Sequence, residues 1–326
     1  MKTVSLFSGC GGMDLGFQQA GFNIVFANDF DKYAAQSYRH NFGEHMVEGD
    51  LSQIHEFEIP KHQVLIGGFP CQPFSMMGQK QGFLDNVRGT LFFEVARIIE
   101  HHQPEVIVLE NVRNLRTHDN GNTLKVIIET LENLNYEVHT QVLNSLDYGV
   151  PQKRNRIFIV CFRKDITVQL KESFQFPAGT QFNTDKINIR SILEQNVDPK
   201  YYLSHKILPT ILSHGSGGYY SKSEIDLPIA RPLTATMAKM HRANQDNYVT
   251  DPNPLAKEAG KTDIRRLTPR ECARLQGFPD DYEIVVSDSQ AYKQFGNAVT
   301  VNVAQAIAES ILTVLPNAMK RETANV

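Results

Sequence analysis

No apolar run in this chain approaches the roughly 20 residues that a membrane-spanning helix needs. Its opening, Met1-Lys2-Thr3-Val4-Ser5-Leu6-Phe7, enters a strand at once and lacks the apolar core and small-residue cleavage site of a secretory leader. Cysteine is scarce: Cys10, Cys71, Cys161 and Cys272 are widely separated, with no Cys-x-x-Cys pair and no His at ligand spacing. That spacing argues against disulfides and zinc, and for free thiols in a reducing cytoplasm. The eleven His residues offer no convincing metal spacing, so no metal is expected. Internal repeats and low-complexity tracts are also missing, and with 41% hydrophobic and 21% charged residues the composition is that of an ordinary soluble globular protein.

Net charge is small as well. The chain carries 33 Lys+Arg against 36 Asp+Glu, or −3, which does not advertise a nucleic-acid binder. The distribution says more than the sum. Residues 151–250 hold 14 basic and 8 acidic residues (+6), leaving 19 and 28 (−9) for the rest. Positive charge is thus gathered in one segment, as a phosphate-facing surface requires and as a solvated basic face also explains.

What is present is an alternation of short apolar strands with helical patterns over residues 3–163. Strands are expected at Thr3–Phe7, Asn23–Ala27, Val64–Gly67, Val106–Leu109, Val138–Leu143 and Arg156–Phe162, and helices at Asp31–Asn41, Thr90–Glu100 and Asn122–Leu134. This pattern predicts a doubly wound α/β sheet, whose ligands bind beyond the carboxyl ends of the strands. The unusual residues fall there: Gly9–Gly12, Asn28–Asp31, Gly68–Ser75 and Glu110–Asn111. From about Asp165 the texture turns richer in Asn, Ser, Pro and Tyr, with a glycine stretch at 215–218, which reads as a smaller, loop-rich domain over 165–263. Order returns at Thr268-Pro269-Arg270-Glu271, a capping box with Pro at N1, and a last helix is expected at Val301–Val314. Residues 264–326 are expected to return to the first domain, residues 1–164, and complete it.

Phe7-Ser8-Gly9-Cys10-Gly11-Gly12 follows the first strand and opens a helix, where glycines admit positive φ and a close ligand. One strand later, Asp29 is placed for ribose hydroxyls and Phe30 for an adenine face. Either motif alone is matched by a plain turn or a surface acid; their joint spacing points to an adenosine-type ligand, and Phe-x-Gly-x-Gly-Gly favours S-adenosylmethionine over a dinucleotide. Gly67-Gly68-Phe69-Pro70-Cys71-Gln72-Pro73-Phe74-Ser75 is the strongest signal in the chain. A cysteine after Pro on a loop leaving a strand is not packed like a core thiol, and its thiolate would be a strong nucleophile. Glu110-Asn111-Val112 ends another strand on the same sheet edge, which suggests a nucleophile paired with an acid.

Phe-Pro-Cys-Gln, Glu-Asn-Val, Gln152-Lys153-Arg154-Asn155-Arg156 and Gly296-Asn297-Ala298-Val299 occur in the order found in DNA cytosine-5 methyltransferases. From Phe7 to about Val303, except the middle of the second domain, the chain resembles the compact bacterial enzymes of restriction–modification systems. The resemblance implies a Rossmann-like, S-adenosylmethionine-dependent catalytic domain with a target-recognition domain. It implies that Cys71 adds to C6 of a flipped-out cytosine, that Glu110 holds and protonates N3, that Arg156 binds O2, and that Arg154 helps to place the loop and a phosphate. Around the cofactor it places Phe7, Ser8, Gly9, Cys10, Gly11 and Gly12, then Asp29 on the ribose, Phe30 against the adenine, Asp50 at its amino group, and Leu51. Pro70, Leu91, Asn297 and Ala298 complete that pocket. Cys10 departs from the family's usual small or apolar residue and reads as packing; Phe30 stands where Tyr or Trp is common and keeps stacking but not a polar contact.

The segment Gln72–Gly89 resembles a loop that closes over the base, with Gln72, Ser75 and Arg88 near DNA. In the second domain, 213–220 and Thr234-Ala235 with 241–247 are the stretches that could face bases, with Thr234, Arg242, Asn244 and Gln245 the candidate contacts. These are equally ordinary loop residues, and the family's usual aliphatic after the Thr is Ala235 here. The expected partner is double-stranded DNA, with no membrane association, a monomeric chain, a bacterial cytoplasmic location, and functional pairing with a restriction endonuclease. Three rivals compete. A tRNA cytosine methyltransferase of the same fold should carry a Cys-Phe-Thr insertion, which is absent. A catalytically inactive DNA-binding regulator should tend to lose Cys71 or Glu110. A nucleotide-dependent oxidoreductase explains the glycine turn but not Pro70-Cys71 with Glu110.

Overall fold

The computed structural model describes residues 1–70, 91–179, 187–216 and 218–316. Clustered by contact, they form two compact units: one of residues 1–144, 155–178 and 303 onward, the other of 145–154 and 179–302.

The first unit is built on a seven-stranded sheet. Its strands are β1 (Lys2–Leu6), β2 (Asn23–Asp29), β3 (Met46–Glu48), β4 (Val64–Gly67), β5 (Val106–Val112), β6 (Tyr136–Asn144) and β7 (Asn155–Arg163). They lie in the order β3-β2-β1-β4-β5-β7-β6. The first five of these positions are parallel, and β7 inserts antiparallel between β5 and β6. The order reverses direction at β1 and β4, the kind of switch point outside which α/β sheets bind ligands. The central strands β4 and most of β5 are buried on both faces, which is why Val-Leu-Ile-Gly and Val-Ile-Val-Leu show no alternation. All six expected strands are present within a residue or two at most ends, though β5 runs three residues further. The short β3 escaped the sequence reading because three residues carry too little pattern.

Helices α1 (Gly12–Gln19), α2 (Lys32–Phe42), α3 (Leu91–His102) and α4 (Asn122–Asn133) connect these strands. Asp31 caps α2 by accepting from the Tyr33 and Ala34 amides, and Gly43 ends it at φ 109°. The core of the unit joins Val4, Leu6, Phe26, Leu65, Ile107 and Leu109 from the sheet to Phe92, Val95, Ile98 and Ile99 from α3 and to Ile127 and Leu131 from α4.

The second unit has little regular structure. Strands β8 (Tyr202–Ser204), β11 (Tyr248–Thr250) and β12 (Lys261–Arg266) form a three-stranded antiparallel sheet, and β9 (Gly215–Ser216) and β10 (Tyr219–Tyr220) a small hairpin. Helices α5 (Pro269–Leu275) and α6 (Asp288–Asn297) follow, and α7 (Val301–Val314) carries the chain back into the first unit. The capping box is formed as expected: the Thr268 hydroxyl accepts from the Glu271 amide, and the Glu271 carboxylate accepts from the Thr268 amide. These units divide the chain differently from the expected 164/165 and 263/264 boundaries. The latter falls inside β12, which pairs with β8 and β11, so residues 264–302 pack with the second unit.

Candidate active site and cofactor cradle

Three chain segments converge at the carboxyl ends of β1 and β2. The Ser8 amide donates to the Asn28 carbonyl at 2.9 Å, and the Gly9 amide donates to Asp29 Oδ2 at 2.9 Å. The other Asp29 oxygen accepts from the Asp31 amide at 2.8 Å. Asn28, 1% exposed, donates through its side-chain amide to the Val47 and Gly49 carbonyls, both at 3.0 Å. It thereby ties the Glu48-Gly49-Asp50 segment to the end of β2. Asn28 was not among the expected site residues; a fully buried amide at a strand end was the available signal, since such a group must find partners.

The glycine turn is held in the left-handed region at Phe7 (φ 55°), Gly9 (φ 57°) and Gly11 (φ 86°). At Gly11 a Cβ would lie 2.2 Å from the Phe42 ring, so the position demands glycine on two counts. At Gly9 a Cβ would meet nothing within 4 Å, which leaves room beside the backbone. Phe30 stands 70% exposed next to Asp29, a large ring with a free face. Open space at Gly9, an oriented carboxylate and an uncovered aromatic fit an adenosine-bearing ligand.

Other expected cofactor residues are placed differently. The Ser8 hydroxyl turns inward onto the Ser5 hydroxyl at 2.9 Å and accepts from the Asn28 amide at 3.3 Å, so it braces the turn. Cys10 is 2% exposed, in keeping with packing. Leu51 is 2% exposed and its side chain belongs to the core cluster. Asp50 is the N-cap of the following turn, accepting from the Ser52 amide at 2.9 Å. Gly12 opens α1, Leu91 opens α3 half-buried, and Pro70 is exposed.

Beneath the turn lies a fully buried carboxylate. Asp14 accepts from the Ser5 hydroxyl at 3.0 Å and the Tyr38 hydroxyl at 2.8 Å, and Tyr38 also meets His45 Nε2 at 3.2 Å. Burial pushes the Asp14 carboxyl up to about 6, against the lowering effect of its hydrogen bonds.

The catalytic candidates follow from strand register. Val112 of β5 lies opposite Arg156 of β7, and residues two apart on a strand share a face. Glu110 and Arg156 are therefore diagonal neighbours, and the Arg156 Nε sits 2.8 Å from Glu110 Oε1. Glu110 is 7% exposed, so a carboxyl group and a guanidinium are held together at the rim of the sheet. Asn111, between them in function, donates to the Phe69 carbonyl at 2.8 Å and accepts from the Val112 amide at 2.8 Å. That bond fixes the exit of β4, the segment that leads to residue 71. Asn111 was quoted as part of Glu-Asn-Val but not assigned this task.

Cys71, Gln72, Ser75 and Arg88 lie outside the described residues, as does the expected closing loop. Cys161 and Cys272 are fully buried and burial pushes both thiols up, which unsuits them as nucleophiles. Among the described residues no cluster of three His, Cys, Asp or Glu is arranged to hold a metal ion, and no helix is long and apolar enough to cross a membrane.

The family model for C-5 cytosine-specific DNA methylase matches residues 1–313. The chain belongs to that family. It is 44% identical over 328 residues to the Type II methyltransferase M1.ScrFI of Lactococcus lactis subsp. cremoris, covering 98% of this chain and 80% of that one. To the Type II methyltransferase M.HhaI of Haemophilus parahaemolyticus it is 41% identical over 327 residues, covering 95% and 94%. Its fold is that of the S. pombe Dnmt2 methyltransferase crystal structure, at TM-score 0.73 and 21% identity over 96% of this chain and 98% of that one. The enzyme is a DNA (cytosine-5-)-methyltransferase, and its family implies use of S-adenosylmethionine.

In this methyltransferase the Gln-x-Arg-x-Arg stretch serves two ends. Arg156 belongs to the first unit and Arg154 to the second. Arg154 is 1% exposed, and its guanidinium donates to the carbonyls of Leu233 (2.9 Å), Gly296 (3.0 Å) and Ala298 (2.9 Å). These three bonds direct the guanidinium to the backbone of its own unit. Gln152 works beside it, donating to the Leu275 carbonyl and accepting from the Leu233 amide. A Cβ on Gly296 would lie 2.3 Å from the Thr234 carbonyl, so its absence lets the two segments touch. Asn297 ends α6 exposed, and Ala298 is buried.

The expected base-contacting residues occupy two stretches of the second unit. Thr234 sits on the one anchored by Arg154. Arg242, Asn244 and Gln245 share a turn whose Ala243 is fully buried with Leu203, Ile211 and Tyr248. His241 anchors that turn by donating its amide to Asp246 at 2.7 Å and accepting from the Tyr248 hydroxyl at 2.6 Å. Gln245 is exposed; Arg242 and Asn244 are half-buried.

Proposed function

We propose that the enzyme methylates a cytosine flipped out of duplex DNA, with Cys71 as the nucleophile and Glu110 and Arg156 holding the base. The observation that carries this reading is the Glu110–Arg156 pair at the rim of the sheet, beside an asparagine that fixes the strand leading to Cys71. A carboxyl group and a guanidinium side by side match a cytosine's adjacent N3 and O2. In the proposed chemistry the Cys71 sulfur bonds to C6, C5 takes the methyl group, the C5 proton leaves to base, and the C6–S bond breaks to restore the ring. Glu110, in its protonated form, gives its proton to N3 as sulfur adds, which draws electron density away from C6, and takes that proton back as the C6–S bond breaks. Flipping costs a few kcal/mol of lost stacking and pairing, and contacts to the extruded base offset it.

The cofactor, when bound, supplies an electrophilic methyl group. Phe7, Gly9, Gly11 and Gly12 would border its amino acid part, Asp29 its ribose, and Phe30 and Asp50 its adenine. The assignments of Pro70, Leu91, Asn297 and Ala298 rest on the family resemblance. We assign target recognition to the second unit, in particular to 213–220, Thr234 and 241–247. The relatives' description as Type II methyltransferases supports a protective role beside a restriction endonuclease.

The test is a trapped complex. Fluorine at C5 cannot leave as a cation, so a duplex with 5-fluorocytosine in the target should stall the enzyme covalently, in a cofactor-dependent way. A denaturing gel should show a shifted band that vanishes in Cys71→Ser and forms slowly in Glu110→Gln. No band on a duplex that is methylated in its unmodified form would refute attack by Cys71 at C6.

A further inference from the structure

We propose that Arg113 and Arg116 form a phosphate-binding pair that grips the DNA backbone beside the target base; this rests on the duplex-DNA reading above. The two residues lie on a 3₁₀ turn, Arg113–Arg116, that begins where β5 ends, three residues beyond Glu110. In a 3₁₀ turn side chains three apart eclipse, so both guanidinium groups leave the same side of the turn. Leu115 between them is fully buried in the core of the first unit, while Arg113, Asn114, Arg116 and Thr117 are exposed. The buried leucine fixes the rotation of the turn and holds the two cations outward.

The turn is also closed at its far end. Thr117 donates its amide to the Asn114 carbonyl at 3.1 Å, and His118 Nδ1 meets the Thr123 hydroxyl at 2.7 Å. A cation pair presented on so fixed a loop loses little freedom when an anion arrives.

What sets the pair apart is the lack of an acid. Among the described residues of the first unit, Arg39 pairs with Glu48, Arg97 with Glu56 and Glu94, Arg156 with Glu110, and Arg163 with Asp165. Arg113 and Arg116 have no side-chain partner among the described residues. Of the carboxylates nearby in sequence, Glu110 pairs with Arg156 and Asp119 accepts from Asn122 Nδ2 at 3.3 Å. The first unit is the acidic part of the chain, so two unpaired arginines next to the catalytic edge stand against the general charge. A strand of DNA whose cytosine reaches Glu110 must pass its flanking phosphates close to this turn.

The experiment is a fluorescence anisotropy titration of the full chain on a labelled duplex across a range of salt concentrations. The target sequence need not be known, because phosphate contacts do not read bases. Each neutralised phosphate contributes about 0.9 to the slope of log K against log salt. Arg113→Gln/Arg116→Gln should therefore flatten the slope by roughly 1.8, and each single variant by about half of that. Arg113→Lys/Arg116→Lys should keep the slope, since a lysine also displaces a counterion. Both sites are exposed, so the unfolding midpoint of the glutamine variant should match the unaltered enzyme and exclude a folding defect. An unchanged slope in the glutamine double variant, with a steep slope in the unaltered enzyme, would overturn the pair. An equal loss in the lysine variant would overturn it too, by showing that shape and not charge matters. If the unaltered enzyme itself binds duplex DNA without salt dependence, the duplex-DNA reading fails together with the pair.

Discussion

The two units solve the same problem, satisfying buried backbone groups, by different means. In the first, seven strands satisfy one another through a ladder, and the interior is almost wholly aliphatic and aromatic. Its buried polar side chains include Ser5, Asn28, Asp29, Glu110 and Asn111 near strand ends and Asp14, Ser37 and Thr123 away from them. In the second, short strands leave many loop carbonyls without ladder partners, and buried polar side chains reach them instead. Arg154 donates to three carbonyls, Gln152 and Gln276 to one each, and Arg265 forms a buried pair with Glu271 at 2.8 and 2.7 Å. Glu271 in turn accepts from the amides of Glu194 and Thr268. A regular sheet satisfies most of its own backbone groups, whereas an irregular unit depends on buried polar side chains to do so.

The largest expected effect separates chemistry from architecture. Cys71→Ser should reduce methyl transfer to background in a tritiated-methyl assay, while S-adenosylmethionine binding by calorimetry stays near that of the unaltered enzyme. Normal turnover would remove the covalent step.

Next in size is the buried ion pair of the second unit. Arg265→Met leaves the Glu271 carboxylate buried without its partner, which costs about 3–5 kcal/mol. Hydrogen exchange should show loss of protection around β8, β11 and β12 with β1, β4 and β5 still slow. Equal loss in both sets of strands would mean that the two units do not differ in what sustains them.

Asp14 sharpens the comparison from the other side, because it is a fully buried carboxyl group in the sheet-based unit. Its folded-state value of about 6 lies above the usual 3.8, so the folded protein holds that proton more tightly than the unfolded chain does. Its contribution is fully favourable below about 3.8, declines as pH rises through about 6, and is flat beyond. Asp14→Asn should remove that decline and raise stability at neutral pH by up to about 3 kcal/mol, given 1.36 kcal/mol per unit. Urea unfolding of both proteins at pH 4, 5, 6 and 7 (about one unit apart) reads the difference, which should grow with pH. A constant difference would show that Asp14 stays charged in the folded protein.

A smaller effect is expected at Gly296, where a Cβ would strike the Thr234 carbonyl. Gly296→Ala should cost about 1–3 kcal/mol through forced displacement. It should also weaken methylation of target DNA by shifting the Thr234 stretch, read as a rise in KM for duplex. Smallest is Thr268→Ala, which removes one side of the capping box and should cost about 1 kcal/mol in chemical denaturation. A loss several times larger would show that the cap supports more than its own helix.

Much of this was legible before any coordinates. Short, β-branched apolar runs such as Val64–Gly67 and Val106–Leu109 read as buried strands, and the capping box at Thr268 announces its helix. The glycine turn, Pro70-Cys71 and Glu110 declare the chemistry because few other settings need those residue types in that order. Strands of three residues, such as β3, carry no readable period, and a loop-rich unit has none to read. That is why β8, β11 and β12 were not visible.

Sequence by itself determined the family and six of the seven strands of the large sheet, since these depend on local pattern and residue chemistry. Tertiary structure alone decided the partners. It paired Arg156 with Glu110 through strand register, gave Asn28 and Asn111 their bracing roles, and turned Arg154 inward to three carbonyls. A polar side chain declares what it can bond to, but only the approach of distant backbone determines which bond it makes.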